Sequence, residues 1–474
     1  MKCLKKFNLN KQKKRFISNL IGSIIYLNAI ITPMGIGQYS VYITSYLHNY
    51  NSKINIQLGN IMMPILMLFL SLSSPLGGIL EHKLGMHLTF IISSILLEFL
   101  IFIFVLQRNI WITFILIILI GINVGSVITI PGKNICFYYP EKKGMIMALT
   151  NSFMIICAAI TNVVGEKIIN PNKIILKKDE TYYPLDVSKN YIKFFKIILM
   201  IIPINTIISL LLIRKYDPIY NNEQLQKLNK DNESSDNKKD EYYSKNIKAA
   251  IFNSRIWKIA AVSIFSEFVI NFVLSTFRVY GALISINGTI MQYFPILFAL
   301  SNIIFGPLWG YINDKLQNFK ICKIICLFFI IHSIILAFFI QSNLIYIISI
   351  FVGSIFVNGI HNIVQPHVMK IYGIKYCIEI GGVINISAGI VNTLKAGLSF
   401  IISFYYHTGK ELQKPYRIIF LCGIGFNAVG YYFASKEKED LFIYPYSLND
   451  NNQKNVSIQS PINEVTIENG NKNI

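Results

Sequence analysis

Residues 75–84 read PLGGILEHKL, and residues 307–316, 232 positions further along the chain, read PLWGYINDKL. The two stretches share a Pro-Leu pair, a glycine and a Lys-Leu pair in one register. Two shorter matches keep nearly the same offset: Pro64-Ile65-Leu66 with Pro295-Ile296-Leu297, and Asn123 before Pro131 with Asn358 before Pro366. Three matches in register indicate that the chain is built from two related halves.

The composition around this repeat is that of an integral membrane protein. Of the 474 residues, 53% are hydrophobic and 14% are charged, whereas soluble proteins carry about 25% charged residues. The mean hydropathy of +0.49 excludes a disordered chain and argues against a soluble enzyme. A helix that crosses a bilayer needs about 20 apolar residues. Twelve such segments are predicted, over 18–46, 55–80, 87–107, 110–133, 145–166, 191–213, 256–283, 290–312, 320–341, 344–369, 378–405 and 415–435.

We therefore expect an all-α membrane protein with twelve transmembrane helices, arranged as two six-helix pseudo-symmetric bundles around a central cavity. The domain limits that follow are a basic tail over 1–17, bundles over 18–214 and 256–437, a flexible linker over 215–255 and a polar tail over 438–474. The linker is charged and poor in aromatic residues, so it cannot bury a core. Halves related by an axis along the membrane normal are typical of transporters that work by rocking.

The basic residues are concentrated in the tails, the linker and alternate loops, although the net charge is +20. The positive-inside rule then predicts that both termini and the linker face the cytosol. The basic loop over 167–178 is an exception that this orientation leaves unexplained. No basic stripe is interleaved with exposed aromatic residues, so we expect no nucleic-acid partner. The protein could lie in the plasma membrane or in an internal organelle membrane, and the sequence does not choose between these two locations.

The repeated stretch resembles the loop between helices 2 and 3 of the major facilitator superfamily. There, Gly-x-Leu-x-Asp-Arg-x-Gly precedes further basic residues, and glycines let the helices approach while an acid and a base pair across the cytosolic gate. His82 stands at the Asp position of the first copy, so we expect a degenerate first latch. The gating residues that the resemblance implies are Gly78, Glu81, Lys83, Gly85, Gly310, Asp314 and Lys315.

Residues 138–144, YYPEKKG, point to a finer resemblance. They are similar to the aromatic-Phe-Pro-acid-base-base-Gly element of the oxalate/formate antiporter and monocarboxylate transporter families. Asn302 and Asp314 also fall where those families place Asn and Asp on helix 8. In those families an Arg four residues after the Asn grips the substrate carboxylate, and Gly306 stands at that position here. The departure weakens the inference of a carboxylate substrate without excluding it.

Ionisable and amide side chains on the predicted helices 1, 7, 10 and 11 are the candidate site residues, because these helices line the cavity in the resembled fold. Ionisable groups inside a membrane are costly and usually face an aqueous path or a partner. Glu267 is the candidate for proton coupling or an ion pair. The candidates for substrate binding are Lys395, Arg278, Tyr39, Asn271, Asn392 and His361. Arg278 lies near a helix end, where it could instead extend to the membrane interface.

The function expected from these residues is secondary transport of a small organic anion, such as pyruvate, lactate or formate. Transport would proceed by alternating access, with a proton or in exchange for another anion. Two alternatives stay open: a facilitator of a neutral or zwitterionic metabolite such as an amino acid, and a transporter-like receptor that moves nothing. Since the seven cysteines show no metal-ligand spacing, we expect no metal and no cofactor. No His/Asp metal box and no Ser/His/Asp set appears at a shared membrane depth, so we expect no enzyme activity. The expected partners are the bilayer, the solute and the coupled ion, around a monomer.

Overall fold

The computed structural model describes most of the chain between the two tails. The described residues are 2–54, 58–172, 174, 182–215, 251, 252, 254–283, 286, 288–316, 320–339, 342–374, 377–405 and 409–437. Most of the predicted linker (215–255) and the predicted tail over 438–474 lie outside them. The domain limits therefore stay predictions.

Twelve long helices, labelled α1 to α12, make up the described part of the chain. The first six are α1 (Lys2–Ile31 and Ile36–His48, joined by the 3-10 turn Thr32–Gly35), α2 (Gly59–Leu84), α3 (Met86–Leu106), α4 (Ile110–Val127 and Ile130–Cys136), α5 (Lys143–Ile169) and α6 (Asn190–Leu212). The second six are α7 (Ser254–Leu283), α8 (Gly288–Leu316), α9 (Lys320–Phe339), α10 (Asn343–Tyr372), α11 (Cys377–Tyr405) and α12 (Gly409–Lys436). A single-turn helix, Leu185–Ser188, precedes α6, and a 3-10 turn, Pro140–Lys142, precedes α5.

The predicted all-α membrane architecture is confirmed. Ten of the twelve helices, all but α1 and α8, contain a described segment long and apolar enough to cross a membrane. Large apolar side chains are exposed on their outer faces, Trp111 and Leu211 among them, as expected for surfaces that meet lipid.

Helix ends and bends follow local chemistry. Pro33 removes a backbone donor, and the 3-10 turn Thr32–Gly35 interrupts α1 there. Gly85, which separates α2 from α3, has a φ of +79°. Residues other than glycine rarely adopt that conformation. The glycine expected here from the family resemblance therefore allows a sharp turn between the two helices.

Each half has its own buried core, and the two halves meet mainly along two helix pairs. The pairs are α2 with α11 and α5 with α8. The repeat relates α2 to α8, so the two contacts are counterparts. At one end of the bundle, Met369 and Ile378 from the second half pack into the core of the first. We call this the basic end, because the loops carrying Lys83, Lys142 and Lys315 lie there.

Candidate substrate site and gate

A buried carboxylate lies deep inside the second half. Glu267 on α7 is 4% exposed and lies 13 residues, about 20 Å, from the first residue of its helix. Its Oε2 is 3.4 Å from Nε2 of His361 on α10 and accepts a hydrogen bond of 3.4 Å from Asn271 Nδ2. Among the described residues, Oε1 has no hydrogen-bond partner. A buried carboxylate with one unsatisfied oxygen is costly, so Glu267 stays a candidate for binding a proton or a ligand.

Lys395 on α11 supplies a second buried charge near this acid. It is 4% exposed, and its ammonium group interacts electrostatically with the Glu267 carboxylate. His361 presents the opposite situation, since 54% of its side chain is exposed. The acid is therefore linked both to a buried cation and to an imidazole that reaches open space. Three helices of one half, α7, α10 and α11, bring these groups together away from the helix ends.

Amide and hydroxyl side chains from the two halves meet at their interface. Asn151 Nδ2 on α5 donates to Asn362 Oδ1 on α10 at 3.3 Å. Asn385 Nδ2 on α11 donates to Ser74 Oγ on α2 at 2.8 Å. Neutral hydrogen-bonding groups therefore cross the interface at two places, the first of them next to His361 in sequence.

The other predicted substrate residues lie in different surroundings. Tyr39 is buried in the first half, where its hydroxyl is within hydrogen-bonding distance of the carbonyl oxygens of Thr161 and Asn162 on α5. Asn392 is half-buried on α11, three residues before Lys395. Arg278 lies on α7, but its side chain is outside the described part of the structure. Roles for these three residues stay predictions.

Gly306 explains in physical terms why no Arg occupies its position. A Cβ built on Gly306 would lie 2.5 Å from Ser152 Oγ on α5. That hydroxyl donates to the carbonyl oxygen of Asn302 on α8 at 2.7 Å. The position is thus used for close approach of α5 and α8, and any anion-binding charge has to come from elsewhere.

The first gate contact joins α8 to the start of α5 at the basic end. Asp314 accepts hydrogen bonds from the backbone N–H groups of Gly144 at 2.9 Å and Met145 at 2.8 Å. A carboxylate on the first N–H groups of a helix gains from charge-assisted hydrogen bonds and from the helix dipole. The sequence predicted an acid–base pair here, whereas the structure shows an acid capping a helix of the opposite half.

The second gate contact joins α2 to the start of α11. His82 Nε2 lies 3.0 Å from Glu379 Oε1, and a Cβ on Gly78 would lie 2.2 Å from the Glu379 carboxyl carbon. The first copy, where His82 replaces the acid, therefore still forms a contact between the halves, and the acid of this contact is Glu379 on α11. Glu81 does not cross the interface here, since its Oε2 accepts from Lys133 Nζ on α4 at 2.8 Å.

The lysines near the gate lie in different surroundings. Lys83 and Lys315 are exposed, and the Lys315 ammonium lies 5.0 Å from the centroid of the Tyr311 ring; their gating roles stay predictions. Lys143 Nζ donates across the interface to the Met369 carbonyl at 3.5 Å, whereas Lys370 Nζ donates within the second half, to the Asn313 carbonyl at 2.8 Å. Lys143 therefore adds a contact between the halves at the basic end.

Within the described ranges, no group of three or more His, Cys, Asp or Glu side chains could hold a metal ion.

Comparison with known proteins places this geometry among transporters. A family model described as "Major Facilitator Superfamily" matches residues 23–394. No curated protein sequence matches the chain.

Three solved structures share the fold at low sequence identity. The proton:xylose symporter XylE bound to 6-bromo-6-deoxy-D-glucose has a TM-score of 0.63 and 14% identity, covering 91% of this chain and 97% of that chain. The human organic anion transporter MFSD10 (TETRAN) has a TM-score of 0.59 and 8% identity, covering 89% and 99%. The transporter FucP in the outward conformation has a TM-score of 0.59 and 16% identity, covering 90% and 99%.

Proposed function

Because this chain belongs to the major facilitator superfamily, we propose that it moves a small organic anion together with a proton by alternating access. The observation that carries the proposal is the cluster of Glu267, His361 and Lys395. A membrane-buried carboxylate beside a buried ammonium group and a reachable imidazole suits a site that binds a proton and an anion.

The charges at the site make binding of the two ligands interdependent. While Glu267 is ionised, its charge offsets that of Lys395, and an anion gains little from entering. A proton on Glu267 removes this offsetting charge, so the ammonium group then attracts a monocarboxylate more strongly. Conversely, the bound anion favours the protonated acid by the same free energy. Proton and monoanion therefore bind together, and their joint movement carries no net charge.

The gate contacts supply the other half of the mechanism. Asp314 with the start of α5, and His82 with Glu379, hold the basic end closed. Release of solute towards that end requires both contacts to break while the halves rock. Since the basic end is expected to face the cytosol, the conformation described here is closed to the cytosol.

A neutral solute is the second candidate, and the amide side chains favour it. Asn151 with Asn362, and Asn385 with Ser74, offer hydrogen bonds to hydroxyl or amide groups. In this alternative Lys395 and Glu267 form a structural pair, and the substrate is a sugar or an amino acid.

Substitution of Lys395 separates the two candidates. Lys395→Gln should weaken binding of pyruvate, lactate and formate by at least about tenfold, because the attracting charge is lost, while Lys395→Arg should retain part of the affinity. Binding to purified protein measures this, with Lys436→Gln on the exposed surface of α12 as the matched control. Unchanged carboxylate affinity in Lys395→Gln, with affinity for a neutral sugar or amino acid, would support the second candidate.

A further inference from the structure

The two gate contacts are counterparts in the repeat but have opposite polarity. At one contact the acid, Asp314, is on the α8 side and caps the backbone of α5. At the other, the counterpart position on the α2 side carries His82, and the acid is Glu379 near the start of α11. The exchange keeps an attraction between the halves, but an imidazole on α2 takes the place of the carboxylate on α8.

Glu379 is built into this contact. It is buried, and its Oε2 has no hydrogen-bond partner among the described residues. Gly78 leaves the space that the carboxyl group fills. A buried carboxylate with one unsatisfied oxygen gains most from a neighbouring cation. His82 is 33% exposed on its side chain, so protons from solution can reach it.

Other charged or titratable side chains surround the pair on several elements. They are Glu81 and Lys83 on α2, Lys133 on α4, Lys143 on α5 and Cys377 on α11. Lys133 Nζ forms an ion pair with Glu81 Oε2 at 2.8 Å, and these two charges offset each other. Lys83 is exposed to solvent. His82 is therefore the base in direct contact with the Glu379 carboxylate.

We propose that His82 and Glu379 form a second proton-binding site, separate from the transport site, through which acidification at the basic end holds the gate closed. Histidine changes charge between about pH 5 and 8. When His82 is protonated, the contact becomes an ion pair that exists only in the closed conformation. The added attraction between the halves stabilises closure, and it is absent when the imidazole is neutral. As the pH rises through the imidazole range, that stabilisation is lost.

A buried thiol at the gate provides the readout, with no substrate present. Cys136 at the end of α4 is fully buried beside Lys143, so its alkylation by N-ethylmaleimide reports opening of the basic end. The experiment measures this rate by mass spectrometry on the purified full chain at pH values from 5.5 to 8.5. At each pH, the ratio of the rate in His82→Gln to that in wild type cancels the intrinsic pH dependence of the thiol.

The expected result is a ratio that grows about tenfold between pH 8.5 and pH 5.5, because only wild type gains the ion pair. Glu379→Gln should behave in the same way and serves if His82→Gln does not fold. His87→Gln is the matched control, since His87 lies nearby on α3 but contacts the Ile213 carbonyl within the first half; its ratio should stay constant. A constant ratio in both gate variants would overturn the proposal. That result would not bear on the proposed transport function, because neither His82 nor Glu379 belongs to the proposed transport site.

Discussion

At the scale of single residues, the Asp314 carboxylate is the gate group with the best-defined partners. Asp314→Asn keeps an acceptor but removes the charge that strengthens both hydrogen bonds to α5. We expect the closed gate to lose about 1 kcal/mol, which is roughly a fivefold shift towards the open conformation. Alkylation of Cys136 should accelerate accordingly, while affinity for substrate stays within about twofold of wild type. An unchanged alkylation rate would show that these bonds do not hold the gate.

Sequence reasoning identified the ionisable candidates but not all of their contacts. Glu267, His361 and Lys395 were singled out because ionisable groups inside a membrane are costly, and their roles stay predictions. Helical periodicity describes one helix at a time, so it relates residues of α7 to one another but not to residues of α10. The contact with His361 depends on the packing of α7 against α10, which periodicity does not reveal.

Gate residues were missed for a similar reason. Lys133 is the last residue of the predicted segment 110–133, and Glu379 is an acid near the start of the predicted segment 378–405. Neither has a local signal that it faces another element. The basic loop residues Lys83 and Lys315 matched the resembled pattern more closely, but both are exposed.

At the scale of helices, the close approach of α5 and α8 depends on paired glycines. A Cβ on Gly310 would overlap the Gly144 carbonyl oxygen, and the backbone of one helix would have to move to relieve the clash. Gly310→Ala should therefore separate the two helices at the gate, at a cost of about 1–3 kcal/mol to the closed state.

Faster alkylation of Cys136, by about tenfold, would report this separation. Gly425→Ala on α12 is the control, because a Cβ there meets nothing within 4 Å among the described atoms. Equal rates in the two variants would mean that the contact between α5 and α8 does not close the gate.

The twelve helices themselves were predictable from sequence. Apolar segments of sufficient length and the repeat at 232 residues follow from the bilayer and from duplication, and the structure confirms both the helices and their counterpart contacts. Helix ends were less predictable; for example, α2 begins at Gly59 rather than at residue 55, and α10 extends to Tyr372.

At the scale of the whole molecule, orientation in the membrane is open to a direct test. The distribution of lysine in the loops predicts that both termini and the linker face the cytosol. A tag placed after Ile474 should be labelled only after the membrane is permeabilised. Labelling of the tag on the outside of intact cells would reverse the orientation, and with it the side to which the described gate is closed.

The central claim, that a proton moves with the solute through Glu267, is tested by one comparison in proteoliposomes. Glu267→Gln cannot take up or release a proton, so we predict that it exchanges a bound monocarboxylate at a rate within about threefold of wild type but no longer accumulates it under a pH gradient. Glu98→Gln, which alters a half-buried acid on α3, is the control and should accumulate solute normally. Accumulation by Glu267→Gln equal to that of wild type would contradict proton coupling at this residue.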